Sequence, residues 1–109
     1  MKKIPVKLSV LELIQKSNFS SLCRLKALLN SYSKKDLAMS EIDQSTLLEA
    51  LSCSMALNVL FDEFFEQAFE ASVDSLHLRE DEFANIIQMA KIVERSNSTL
   101  FGFTGTWTH

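Results

Sequence analysis

Few side chains in this sequence are able to do acid–base or nucleophilic chemistry. The histidines are His77 and His109, and the thiols are Cys23 and Cys53. A nucleophilic site needs a base within hydrogen-bond reach of the attacking group, and no local motif brings such a pair together. Glycine-rich phosphate loops, HExxH and GxSxG motifs are absent from the sequence. We therefore predict that the chain is not an enzyme and binds no cofactor.

A metal site is the next chemistry that the residue types suggest. Glu63, Glu66 and Glu70 recur about one helical turn apart. Asp74-x-x-His77 has the i, i+3 spacing of one half of a helical-bundle metal site. Bundles that hold two metal ions draw such a pair from each of two helices and add two further carboxylates. Because this sequence has one pair, with Asp in place of Glu, we interpret these residues as a solvated acidic edge and predict no metal.

The charges are separated along the chain. The basic residues of segment 1–35, opposed there by Glu12, are Lys2, Lys3, Lys7, Lys16, Arg24, Lys26, Lys34 and Lys35. The acidic residues of segment 41–82, opposed there by Arg79, are Glu41, Asp43, Glu49, Asp62, Glu63, Glu66, Glu70, Asp74, Glu80, Asp81 and Glu82. Two interpretations are open. The segments pack side by side and neutralise each other, or an acidic face stays exposed and steers a basic partner.

The second interpretation identifies candidate partner-binding residues. Asp62, Glu66 and Glu70 lie close to one helical line, where their mutual repulsion costs a little stability that a cationic partner would restore. We predict that the partner-binding residues are Asp62, Glu63, Glu66, Glu70 and Asp74, with Glu80, Asp81 and Glu82 as a second cluster and Trp107 in the aromatic tail.

The elements that must position these residues are predicted to be helices. With Gly 2 and Pro 1 in 109 residues, the chain has little material for tight hairpins. Capping boxes begin at Ser9 and Ser40, and polar junctions fall at 17–21, 31–35 and 74–77. We predict a single all-α domain over 1–109, a bundle of four to five helices. The predicted helices are a short one from Ser9, a second over 21–32, a single turn near 36–39, a long central one over 41–73, and a final one over 78–96.

The apolar period predicts which side chains form the core. The predicted core residues are Leu25, Leu57, Phe61, Phe64, Phe65, Phe83 and Ile87. Leu48, Met55, Val59 and Leu60 widen the stripe of the central helix, which we expect neighbours to pack on several sides. Asn58 is interpreted as a core amide bonded to another helix, and both cysteines as buried small hydrophobes. The aromatic tail, 98–109, is predicted to be non-helical, and either packs on the bundle or binds a partner.

Charge and hydropathy also narrow the choice of partner. The net charge of −3 is the opposite of a phosphate-binding footprint, so nucleic acid is not expected. No run of about 18 apolar residues occurs, and the basic N-terminal segment lacks both an apolar core and aromatic anchors, so neither a membrane nor a secretory signal is expected. We therefore predict a cytoplasmic monomer or homodimer with a protein partner.

Three functions fit a small acidic chain of this kind. The first is an immunity or antitoxin-type inhibitor that masks a basic toxin, for example a nuclease, by stoichiometric binding. The second is a secretion or assembly chaperone that holds a substrate helix in an apolar groove. The third is a phage-type inhibitor or regulatory adaptor, which differs from the first in its target. The clustering of acids in the central segment favours the first.

Overall fold

The computed structural model describes residues 2–34 and 39–101, and three long helices with a small sheet make up this part of the chain. The order is β1 (Lys3–Lys7), α1 (Leu8–Ser33), α2 (Glu41–Ala71), β2 (Ser75–Arg79) and α3 (Glu80–Phe101). Helices account for 82% of the described residues, which confirms a mostly helical chain with its longest helix inside 41–75. The prediction of four to five helices and no sheet is wrong.

The first predicted break is absent because one residue in it is buried between helices. α1 runs through 17–21 without interruption, so the two predicted helices are one of 26 residues. The Asn18 side chain donates from Nδ2 to the Ser54 carbonyl oxygen at 3.0 Å, and the Ser54 hydroxyl donates to Asn18 Oδ1 at 2.8 Å. Asn18, which lies in the junction predicted at 17–21, therefore joins α1 to α2. The interhelical amide is thus at Asn18, whereas the predicted one, Asn58, is half-buried.

The long central helix begins and ends with capping contacts. The Ser40 hydroxyl accepts a hydrogen bond from the Asp43 backbone N–H at 3.1 Å, which confirms the capping Ser at this position. At the other end Ser72 is left-handed, with φ 55°, and the N–H groups of Ser72 and Val73 donate to the Phe69 and Ala68 carbonyls. Ser9 caps nothing, because α1 begins one residue earlier, after Lys7.

The two strands form a short antiparallel ribbon where α1 and α3 begin. Ile4 pairs with Leu78 and Val6 with Leu76, so the four apolar side chains share one face of the ribbon. Backbone bonds from Leu8 to Asp74 and from Glu80 to Lys2 extend the ladder at both ends. The hydrogen-bonded pairs therefore contain the even-numbered residues of β1. Pro5 consequently occupies a non-bonded position, where its missing N–H removes no ladder bond.

The helices α1 and α3 run antiparallel to α2 and pack on it. The longest dimension of the molecule is 47 Å, close to the ~46 Å expected for a 31-residue helix. Leu25, Leu57, Phe61 and Phe64 are buried as predicted. The other predicted core residues, Phe65, Phe83 and Ile87, are half-buried.

The last helix differs from its predicted bounds at both ends. β2 occupies the residues up to Arg79, so α3 starts at Glu80 instead of Leu78. It continues to Phe101, so the first residues of the predicted non-helical tail are helical. Residues 102–109 and the predicted turn near 36–39, apart from Met39, lie outside the described residues. None of the described helices carries a stretch apolar enough to span a membrane.

Candidate protein-binding surface

Four of the predicted binding residues lie together at the C-terminal end of α2. Asp62, Glu63, Glu66 and Glu70 all have exposed side chains there. The 3.6-residue period places them on the side of α2 opposite its buried residues Leu57, Phe61, Phe64 and Ala68. We call these four carboxylates the acidic cluster.

The acidic cluster is not neutralised by the basic residues of α1. None of its four carboxylates forms an ion pair with any part of the chain that the structure describes. The α1 cations that were candidates for pairing, Lys16, Arg24 and Lys26, have exposed side chains. Packing of α1 beside α2 buries the apolar faces of both helices, and no described cation pairs with the acidic cluster. Side-by-side neutralisation is therefore not observed for the acidic cluster.

The other predicted acids lie on different elements. Asp74 is exposed in the turn between α2 and β2, and its backbone carbonyl accepts from the Leu8 N–H at 2.8 Å. Asp81 accepts from the Glu82 N–H at 2.9 Å and pairs with Arg79 at 3.5 Å, both side chains being about half exposed. Asp81 thus serves the first turn of α3, where the helix dipole favours an anion.

Two of the predicted acids at the start of α3, Asp81 and Glu82, line a shallow cavity. Glu80 is exposed, and Glu82 is half-buried. The cavity has a volume of about 230 Å³ and is lined by Leu60, Arg79, Asp81, Glu82, Asn85, Ile86 and Met89. Trp107, the remaining predicted binding residue, lies outside the described residues.

One side of α2 carries an apolar surface that was not predicted from the sequence. Leu48, Met55 and Val59 were assigned to a central helix packed on several sides, yet they are 57%, 50% and 58% exposed. The reason is that two helices pack on one side of α2, and no described element covers the other. Phe69, next to the acidic cluster, is 85% exposed. Large exposed apolar side chains grouped in this way are typical of protein-binding surfaces.

Seven of the exposed residues of α2 follow a coiled-coil spacing. They are separated alternately by four and three residues, and in chain order they are Leu48, Ser52, Met55, Val59, Asp62, Glu66 and Phe69. We call this line the outer seam. Its first half is apolar apart from Ser52, Asp62 and Glu66 make its second half acidic, and the exposed ring of Phe69 ends it. The alternation of fours and threes was the signal in the sequence that would have revealed it.

Cysteine and histidine are dispersed over the molecule. Cys23 is exposed on α1, so the prediction that it is buried is wrong. Cys53 is half-buried on α2, and burial, together with the charge of Glu49, raises the pKa of its thiol. His77 is exposed on β2 opposite Pro5. No three metal-ligating side chains cluster within 2–34 and 39–101.

A second apolar feature is a groove between α1 and α3. It has a volume of about 220 Å³, and its apolar lining comprises Leu13 and Ile14 from α1 and Ala90 and Val93 from α3. Leu13 at its rim is 70% exposed. One carboxylate, Glu94, borders the groove.

The chain was compared with known proteins by sequence and by structure. No protein-family model matches it, and neither the curated proteins nor the solved structures gave a significant match.

Proposed function

We propose that this chain is a small cytoplasmic inhibitor of the immunity or antitoxin type, which neutralises a basic toxin by stoichiometric binding. The surface that would bind the toxin is the exposed side of α2. A nuclease is a suitable target, because a nucleic-acid-binding site is rich in Lys and Arg and an acidic protein covers it through charge complementarity.

The observation that carries the proposal is the state of the acidic cluster. Its four carboxylates are exposed, unpaired with any described residue, and held on one side of a 31-residue helix. Like charges at i, i+4 cost a helix about 0.2–0.5 kcal/mol per pair, so this arrangement slightly destabilises the free protein. A basic partner would remove that cost on binding.

The apolar residues beside the acidic cluster would stabilise the complex, which exposed charges alone do only weakly. Electrostatic attraction raises the rate at which partners meet, but exposed charges contribute little to the stability of the complex. Burial of Leu48, Met55, Val59 and Phe69 would add about 25 cal/mol for each Å² of apolar surface removed from water. Charge would therefore govern association and the apolar residues would slow dissociation. Masking a toxin in this way requires no chemistry from the inhibitor.

The proposal is tested by reversing two charges of the cluster. The partner is purified from the source cells on the immobilised protein, and its activity is titrated with the parent chain. Association rates are then measured by stopped flow at low and high salt. Glu66→Lys with Glu70→Lys should slow association at least about tenfold at low salt and flatten its salt dependence. Loss of the partner's activity should reach completion at one equivalent of the parent.

A control with the same change in net charge uses two acids on other helices. Glu12→Lys with Glu94→Lys alters exposed residues of α1 and α3, and it should leave the association rate within about twofold of the parent. Circular dichroism should show both double variants folded. If the control slows binding and the α2 variant does not, or if inhibition is not stoichiometric, the proposal is wrong.

The groove between α1 and α3 favours a second candidate function, a chaperone that holds a substrate helix. Such binding would depend on apolar contact and would change little with salt. Leu13→Glu places a charge at the rim of the groove without touching the core, because Leu13 is 70% exposed. This variant should abolish binding if the chain is a chaperone and should leave it unchanged if the partner binds α2.

A further inference from the structure

The spacing of the residues in the outer seam, as well as their charge, indicates what kind of partner binds there. Its residues alternate by four and three over 22 positions, from Leu48 to Phe69, so they form a continuous line about 32 Å long that winds slowly around the helix. A line of this kind is the surface that one helix offers to another in a coiled coil. No described residue covers it, since all its side chains are exposed.

Its flanks have different environments. The positions next to the seam on one side are Glu49, Ala56, Glu63 and Glu70, all of them exposed. On the other side are Leu51, Asn58 and Phe65, which are buried or half-buried against the molecule's own helices. A docking helix would therefore meet carboxylates both within the seam and along its open flank, where coiled coils form interhelical ion pairs.

A second copy of the chain does not fit the seam. The seam contains no Lys or Arg, so symmetric pairing of two copies buries Asp62 and Glu66 without a cation in either orientation. In the antiparallel alignment, for example, Asp62 faces Val59 of the other copy and Glu66 faces Met55. An unpaired buried carboxylate is strongly unfavourable. The occupant must supply the missing cations.

From this arrangement, and resting on the proposed function, we infer that the partner presents a basic amphipathic helix to the outer seam. The helix has apolar side chains over Leu48, Met55 and Val59, and Lys or Arg over Asp62 and Glu66. Further cations lie along the flank that faces Glu63 and Glu70. An apolar side chain at its end packs against the ring of Phe69. The apolar and basic residues of this helix are segregated along its length, as they are in the seam.

A peptide experiment can test whether binding depends on the segregation of apolar and basic residues along the helix. Two designed 28-residue helical peptides are labelled with fluorescein, and their binding to the full chain is measured by fluorescence anisotropy. Both have the same composition and heptad pattern. In one, the apolar and basic seam residues are segregated, and in the other they alternate. The segregated peptide should bind at least tenfold more tightly, because the alternating peptide places Lys over Met55 or Val59 in either orientation.

Variants of the chain locate the binding. Val59→Asp changes a seam residue that is 58% exposed, and it should remove the preference for the segregated peptide. Leu13→Asp makes the same type of change on α1, where the side chain is 70% exposed, and it should have no effect. The folded state of both variants is checked by circular dichroism.

The outcomes separate this inference from the proposed function. If both peptides bind equally and Glu66→Lys with Glu70→Lys weakens both, charge masking stands and the helical partner is wrong. The helical partner is also overturned if the segregated peptide does not bind. Sedimentation that shows the chain alone as a dimer, converted to a monomer by Val59→Asp, would make a second copy the occupant and overturn the inference. The proposed function is tested independently, on the partner purified from the source cells.

Discussion

Replacing Glu66 by lysine should stabilise the free protein, because Glu66 has three like-charged neighbours on its own helix. Asp62 and Glu70 are four residues away on either side, Glu63 is three residues away, and all four side chains are exposed. Each like-charged pair costs about 0.2–0.5 kcal/mol, and each opposite pair gains a similar amount. Reversal of all three pairs would give at most about 3 kcal/mol, which solvent screening reduces. We expect Glu66→Lys to raise the free energy of unfolding by about 1 kcal/mol.

Thermal unfolding followed by circular dichroism measures this effect. A gain of about 1 kcal/mol corresponds to a rise in Tm of about 5 °C for a chain of this size. Glu66→Gln removes the three repulsions without creating attractions, so it should give about half the rise. In 1 M salt the Debye length falls to about 3 Å, and the differences between the variants should largely vanish.

A matched control makes the same substitution where the surroundings have the opposite charge. Glu12 precedes Lys16 by four residues on α1, and both are exposed. Glu12→Lys exchanges a favourable pair for a repulsive one, so it should lower the stability by about 0.5 kcal/mol. Equal effects of Glu66→Lys and Glu12→Lys would show that overall net charge dominates. A fall in Tm for Glu66→Lys would refute the claim that the acidic cluster is unpaired.

The remaining predictions concern the core and the caps, and each is checked by chemical denaturation. Phe61 is fully buried beside Phe64, so Phe61→Ala should lower the free energy of unfolding by about 3–5 kcal/mol. Phe69→Ala should change it by less than about 0.5 kcal/mol, and equal costs of the two substitutions would contradict the burial assigned to these rings. Ser54→Ala leaves Asn18 Oδ1 without its donor and should lower the free energy of unfolding by about 1–3 kcal/mol. The double variant Ser54→Ala with Asn18→Leu should recover most of this loss, and additive effects of the two substitutions would count against the bond. Ser72→Gly should gain about 1 kcal/mol by removing the left-handed strain at φ 55°, and a loss of stability would contradict that conformation.

Hydrophobic periodicity and capping predicted the part of the fold that depends on local sequence. The helix α2 could be predicted because its Ser40 cap is local and no Gly or Pro interrupts its apolar period. The burial of Leu57, Phe61 and Phe64 followed from the same period, since one face of an amphipathic helix must leave water. The exposure of the acidic cluster was one of two open alternatives. A choice between the two depends on whether any α1 cation reaches α2, and that is a property of the tertiary structure.

The strands and the uninterrupted α1 depended on tertiary contacts. Residues 75–79 alternate apolar and polar side chains, and residues 3–7 do so except at Pro5. Each segment is five residues long and pairs with a segment distant in the sequence. An isolated two-stranded ribbon is marginal, so neither segment alone predicts a sheet. For a similar reason, the sequence predicted a junction around Asn18. Its side chain can bond to its own backbone, and only the presence of Ser54 in α2 favours the interhelical bond.

Leu48, Met55 and Val59 of α2 were predicted to be packed by neighbouring helices and are exposed. A helix that is apolar over most of its circumference is either surrounded by its own protein or incomplete until a partner binds. Polar interruptions distinguish the two cases, because a helix packed on all sides cannot retain unpaired charges on any face. The line from Leu48 to Val59 continues directly into Asp62 and Glu66, so whatever covers the apolar half must also accommodate two carboxylates. None of the described helices supplies a cation that pairs with them. We therefore propose that the same two acids that oppose pairing of the chain with itself restrict the seam to a basic partner.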